Sequence, residues 1–134
     1  MIVYLDTSAV GKLLVDEPET AALSAHLDAR AGVPGVVIAS AALLETELRR
    51  LADRVGVAQV TVTEVLQRIT LIDMERGVFR EAGLILSGGP LRSLDALHIA
   101  VAQRIAADEF VSYDARQGVS AVALGLNVVH PGRV

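Results

Sequence analysis

The stretch "IVYLDTSAVGKLLVDE" (residues 2–17) decides the reading of the fold. Its first residues are apolar and favour a strand, and the run stops at a carboxylate, Asp6. The segment that follows has helical spacing and opens on Thr7 and Ser8, both good helix-capping types. The same alternation recurs down the chain. "GVVIA" (35–39), "ITLID" (69–73), "EFVSYD" (109–114) and "NVVHP" (127–131) are short, β-branched and bounded by turn or polar residues. Longer segments with helical spacing separate them, among them "AALLETELRRLADRVG" (41–56), "LDALHIAVAQRIAADE" (94–109) and "ARQGVSAVALGL" (115–126). Strands that are apolar throughout and alternate with helices predict a parallel sheet covered on both faces, with right-handed crossovers. The expectation is an α/β protein: one α/β/α domain over residues 1–134 with a central parallel sheet of about five strands.

Composition narrows the function. The 134 residues are 52% hydrophobic and 3% aromatic, so the core is aliphatic. No cysteine is present, which removes disulfides, cysteine-based zinc sites and thiol nucleophiles, and suits a cytoplasmic setting. The longest apolar run, "AGVPGVVIASAALL" (31–44), is interrupted by Pro34 and Gly35 and is too short to span a bilayer. The opening residues lack the basic region of a secretory signal, so no membrane role is expected. The formal net charge of −4 gives no global basic footprint for nucleic acid, so a phosphate partner needs a local arginine cluster or metal ions.

The carboxylates carry the chemistry. Open α/β sheets bind ligands beyond the carboxyl ends of their strands, where the strand order reverses. Asp6 ends the first strand and Asp114 the fourth. Asp95 opens the helix before the fourth strand, after a Gly88-Gly89-Pro90 turn and with Ser93 as its N-cap. In "LLETELRRLADR" (43–54), Glu45 and Glu47 point about 200° apart on a helix and cannot serve one site. The stripe of Leu44, Leu48, Leu51 and Val55 leans mildly toward Glu47. Several carboxylates in one crevice repel one another unless a cation neutralises them. A site of oxygen ligands without cysteine suits Mg²⁺ or Mn²⁺ rather than zinc, and the matching chemistry is metal-assisted phosphodiester hydrolysis.

Four motifs in order, "MIVYLDTSAVGKLLVDEPET", "LLETELRR", "LRSLDALHIAVA" and "FVSYDARQGVSAVALGLNVVHPG", resemble the PIN-domain ribonuclease toxins of VapC type over nearly the whole chain. The resemblance implies a PIN-like fold and an Mg²⁺- or Mn²⁺-dependent endoribonuclease from a type II toxin–antitoxin system. It matches the family's four acids to Asp6, Glu47, Asp95 and Asp114, choosing Glu47 over Glu45. Asp6, Asp95 and Asp114 are then the metal ligands, with Glu47 and Asp114 binding a second metal or positioning the attacking water. Ser112 takes the family's hydroxyl position, where Thr is common, and Thr7 lies in its "DTS" motif. The resemblance also implies a homodimer, a cognate antitoxin and an RNA substrate.

Each residue also has a plainer role. Asp6 and Asp114 are natural N-caps, Asp95 suits the first turn of a helix dipole, and Glu47 can pair with Arg50 or Arg54. His98 reads as a packed histidine with a hydrogen-bond partner rather than a ligand. His26 and His130 read as surface or strand-end residues, and Glu45 as a surface acid. Arg116 can contact substrate phosphate or orient a carboxylate; Arg49, Arg50, Arg54 and Arg92 are further phosphate candidates. The rival function is a non-catalytic binding module whose acidic pocket docks an arginine-rich partner segment. A haloacid-type phosphatase lacks its second Asp, since Ser8 stands there. A receiver domain lacks the lysine near the last strand, and no Gly-x-Gly-x-x-Gly follows the first strand.

Overall fold

The computed structural model describes residues 1–85 and 91–133. Strands β1 (Ile2–Leu5), β2 (Val37–Ala41), β3 (Thr70–Ile72), β4 (Glu109–Val111) and β5 (Val128–Val129) form one parallel sheet in the order β3-β2-β1-β4-β5. The helices are α1 (Thr7–Leu14), α2 (Thr20–Ala31), α3 (Leu43–Val55), α4 (Gln59–Leu66), α5 (Arg76–Gly83), α6 (Ser93–Arg104) and α7 (Ala115–Ala123). None of the described helices is long and apolar enough to cross a membrane.

Side-chain alternation along the strands builds the two faces. Val3, Leu5 and Val111 pack with Ala9, Leu23, Leu44, Leu48 and Val62, so α1 to α4 cover one face. Tyr4 and Phe110 point the other way and pack with Val78, Ile99 and Ala121, from α5, α6 and α7. The expected α/β/α sandwich is therefore present, with an aliphatic core on each side of the sheet.

Three local readings change. The second strand lies two residues later than the sequence suggests. Its small residues Ser40 and Ala41 are bound to β1: Ser40 Oγ donates to the Leu5 carbonyl at 2.6 Å and the Ala41 amide donates to Tyr4 Oη at 3.2 Å. In α3 the buried line is Leu44, Leu48 and Ala52, while Val55 is exposed next to the left-handed Gly56 (φ 78°) that ends the helix. At the start of α6, Arg92 rather than Ser93 holds the extended N-cap backbone, and no side chain caps the helix. Ser93 is already helical, so its hydroxyl is one position too late to cap. The Gly88-Gly89-Pro90 turn lies outside the described residues.

Two features aim the elements at one place. The strand order reverses between β1 and β4, which puts the ligand crevice beyond the carboxyl ends of those two strands. A Cβ on Gly11 would lie 3.1 Å from Leu51 Cδ2, so the glycine lets α3 approach α1 closely.

At the opposite end of the sheet, the buried Glu109 on β4 receives Arg30 Nε at 3.1 Å and Nη2 at 2.7 Å, and lies 2.9 Å from His26 Nε2. His26 is thus a partner of the sheet rather than a free surface residue. The Arg30 bonds hold the Glu109 carboxyl below the usual glutamate range. A depressed carboxyl lends stability above its unfolded value and loses it as the pH falls. Glu109→Gln is expected to cost about 1–3 kcal/mol at pH 7, with the deficit shrinking toward pH 4. Urea unfolding of both proteins at the two pH values measures it.

Candidate functional site

Asp6 follows β1 and is the N-cap of α1, with its side chain accepting from the Ala9 amide at 3.0 Å. Ser8 Oγ donates to the same oxygen, Oδ1, at 2.7 Å, and Ser112 Oγ donates to Oδ2 at 2.5 Å. Capping and site placement therefore coexist in one side chain. Asp6 is almost wholly buried, and desolvation raises its carboxyl above the usual aspartate range despite these three donors.

Ser112 links the two strand ends. Its Oγ also accepts from the Asp114 amide at 3.2 Å. Asp114 is the N-cap of α7, where Oδ1 accepts from the Arg116 and Gln117 amides. Gln117 in turn donates through Nε2 to the Asp95 carbonyl at 3.2 Å, which brings the start of α6 over the carboxyl end of the sheet.

Asp95 has the feature that most needs an explanation. Among the described residues its half-buried carboxylate makes no hydrogen bond and no ion pair. Burial raises its carboxyl first, and the nearby Asp114 raises it further, against weaker help from His98 and Arg92. Like charge faces like charge there with no cationic side chain bonded between them.

Glu47, and not Glu45, turns toward this group. Thr7 Oγ1 donates to Glu47 Oε1 at 2.6 Å, and His98 Nε2 lies 2.8 Å from the same oxygen. Burial acts to raise the Glu47 carboxyl, but the His98 and Thr7 bonds outweigh it and hold the group below the usual range. Glu45 pairs with Arg49 at 3.0 Å on the outer surface, as expected of a surface acid. The suggested Glu47 pairs with Arg50 or Arg54 do not form.

A cleft of about 570 Å³ opens beside Glu47, lined also by Thr7, Ser8, Arg50, Arg54 and Leu94. Glu47 is the one acid of the four that lines it. Asp114 and Ser112 line a neighbouring hollow of about 430 Å³ with Val119 and Val122, and Tyr113 and Arg133 line both. Arg116 is exposed, and its side chain has no partner among the described residues.

Among the described residues no three His, Cys, Asp or Glu side chains are placed to hold an ion together as they stand. Mg²⁺ does not require that: one or two carboxylates and several waters are its usual protein-side ligands. The donor set fits a hard divalent ion, because Asp95 is unpartnered and Asp114 is close enough to oppose its ionisation. Sequence reasoning missed Tyr4, whose hydroxyl bonds His98 Nδ1 at 2.6 Å. It also missed the bridging part of Ser8, which accepts from the Tyr113 amide at 2.8 Å. Tyr4 carries no sequence signal, being one apolar-run residue among several; Ser8 was visible as the third residue of "DTS".

Residues 3–123 match the PIN domain family. The chain is 38% identical to Ribonuclease VapC46 of Mycobacterium tuberculosis over 132 residues, covering 96% of this chain and 97% of the relative. It is 37% identical to Ribonuclease VapC47 of the same species, with 99% of each chain covered. Among solved structures it superposes on VapC20 of M. tuberculosis, described as a sarcin–ricin loop cleaving toxin, with a TM-score of 0.74 at 15% identity, covering 98% of this chain and 100% of the other. VapBC2 of Rickettsia felis, bound to a promoter DNA fragment, gives a TM-score of 0.76 at 17% identity, with 98% and 99% covered.

Asp6→Asn keeps a capping oxygen and removes a desolvated charge. A raised carboxyl lends stability on the acid side and loses it as the pH climbs through its folded value. Thermal melts without metal are therefore expected to coincide near pH 4 and to favour Asp6→Asn at pH 8. Added Mg²⁺ should raise the wild-type melting temperature more than that of the variant.

Proposed function

The chain belongs to the PIN-domain family, among its VapC ribonucleases, and from that premise we propose that it is a divalent-metal-dependent endoribonuclease, the toxin of a toxin–antitoxin pair. What supports this reading is that Ser112 joins Asp6 to the Asp114 amide, Thr7 and His98 hold Glu47, and Gln117 bonds the Asp95 backbone carbonyl, all beyond the carboxyl ends of β1 and β4.

Asp6, Asp95 and Asp114 supply the hard oxygens that would hold Mg²⁺ or Mn²⁺. Once bound, such an ion acidifies a water for attack on phosphorus and neutralises charge on the leaving oxygen. Ser8 and Ser112 keep Asp6 in one orientation from both sides. Glu47 is held ionised, and its Oε2 has no partner among the described residues, so that atom is free to take a proton from the attacking water.

Arg50 and Arg54 continue from Glu47 along α3, about 6 Å apart in rise, and line the cleft without ion pairs among the described residues. In the proposal they contact successive substrate phosphates, and Arg116 contacts another near Asp114. This local cationic strip answers the overall acidity of the chain. Several solved VapC-like structures are toxin–antitoxin complexes, which supports an antitoxin as partner. The homodimer is part of the proposal, with the exposed Val119 and Val122 of α7 as its apolar face.

The purified, antitoxin-free chain is expected to cleave total RNA with Mg²⁺ or Mn²⁺, to stop on EDTA, and to resume when the ion is restored. Asp95→Asn should lower cleavage by more than about 100-fold. Arg54→Ala should raise KM with kcat kept, and lower the salt slope of RNA binding by about 0.7. A metal-replete chain that leaves RNA intact yet holds an arginine-rich peptide, and loses it in Asp95→Asn, would establish the binding-module function instead.

A further inference from the structure

We infer that His98 is a positioning residue: a buried relay from the β2 backbone through Tyr4 and His98 fixes one oxygen of Glu47 and leaves the other free for chemistry. The inference rests on the ribonuclease reading for its effect on rate, and on hydrogen-bond geometry for its form.

The relay has a direction that can be worked out atom by atom. The Ala41 amide donates to Tyr4 Oη at 3.2 Å, so the hydroxyl oxygen is acting as an acceptor there. Its proton is then free to be given to His98 Nδ1, 2.6 Å away. A neutral imidazole that accepts at Nδ1 carries its proton on Nε2. That proton points at Glu47 Oε1, 2.8 Å away, where Thr7 Oγ1 also donates at 2.6 Å. Both donors converge on Oε1, and Oε2 has no partner among the described residues.

Nε2 also lies 3.1 Å from Thr7 Oγ1, but that hydroxyl gives its own proton to Glu47 Oε1, so both neighbours of Nε2 call for a proton on the ring nitrogen. His98 is 2% exposed. It stands edge-on to the Tyr4 ring, with centroids 5.8 Å apart, and Tyr4 is stacked on Phe110 at 5.3 Å. A ring flip would carry Nε2 away from Glu47 and leave buried polar atoms without partners, whereas no described buried side-chain nitrogen or oxygen lacks one. Glu47 itself hangs from the middle of α3 on a side chain with three rotatable bonds, so without the relay it would sample several rotamers at the edge of the cleft. The gain is pre-organisation: the acid is aimed before substrate arrives.

The test has two arms. In the metal-free protein at neutral pH, long-range proton–nitrogen correlation spectra should show His98 as the Nε2–H tautomer, assigned by the loss of its signals in His98→Gln. In steady-state cleavage, His98→Leu should lower kcat by about 10–100-fold with KM within about threefold. His98→Gln, whose amide nitrogen stands close to where Nε2 stood, should recover most of that loss. Tyr4→Phe, which removes only the hydroxyl, should lower kcat in the same direction and covers the case in which His98→Leu does not fold. An Nδ1–H tautomer overturns the inference. So does a folded His98→Leu protein with wild-type kcat, or one whose loss His98→Gln fails to recover. If the wild-type chain cleaves no RNA, the ribonuclease reading falls, and the tautomer measurement still decides the relay.

Discussion

The structure is organised around a carboxylate that folding has taken almost entirely out of water. Asp6 costs desolvation energy, and the fold offsets it with three donors drawn from its own helix and from the end of β4. Because those donors come from two elements, satisfying Asp6 also sets how β1, α1 and β4 meet. Ser112 extends the same constraint to Asp114 through its amide, so the two strand ends at the reversal of the sheet form one hydrogen-bonded unit. The cost is left incompletely offset, as the raised Asp6 carboxyl records. A group held in that condition gains from any cation that reaches it.

The remaining acids are treated differently, and the contrast carries the functional meaning. Glu47 is clamped by two donors on one oxygen and stays ionised. Asp95 has no side-chain partner among the described residues and faces Asp114. Environments that push neighbouring acids apart in this way commonly mark acid–base and metal chemistry rather than stability. Where stability is the purpose, this chain pairs its acids fully, as at Glu109 with Arg30 and at Glu19 with Lys12 and Arg133.

The proposed action of an acidic chain on RNA asks for local positive charge, and the charge layout offers some. The cations are not spread evenly: Arg50 and Arg54 repeat at one helical turn on the stretch of α3 that begins at Glu47. Lys12 and Arg133 flank the Tyr113 ring on the same cleft, but both are occupied with acids of the α1–α2 region. Of the cations that line the cleft, Arg50 and Arg54 are therefore the ones without ion pairs among the described residues, and they follow the acid proposed to take the proton.

Periodicity and turn chemistry made the five strands and the helices between them readable from the chain, because those signals are local and each element repeats its own spacing. The position of Asp6 directly after β1 was legible for the same reason, whereas Asp114, read as the end of the fourth strand, lies three residues beyond β4 as the N-cap of α7. The start of β2, the cap of α6 and the outward turn of Val55 were not legible, since each depends on what packs alongside. The choice of Glu47 over Glu45 shows the boundary most clearly. Helical spacing leaned only mildly to Glu47, and the motif resemblance named it. What turns it into the site is contact with Thr7 and His98, residues 40 and 51 positions away. Sequence by itself determined which acids were available and which elements carried them. Tertiary structure alone decided which oxygen is clamped and which is free, because a hydrogen bond depends on distance and angle between atoms that the chain brings together only when folded.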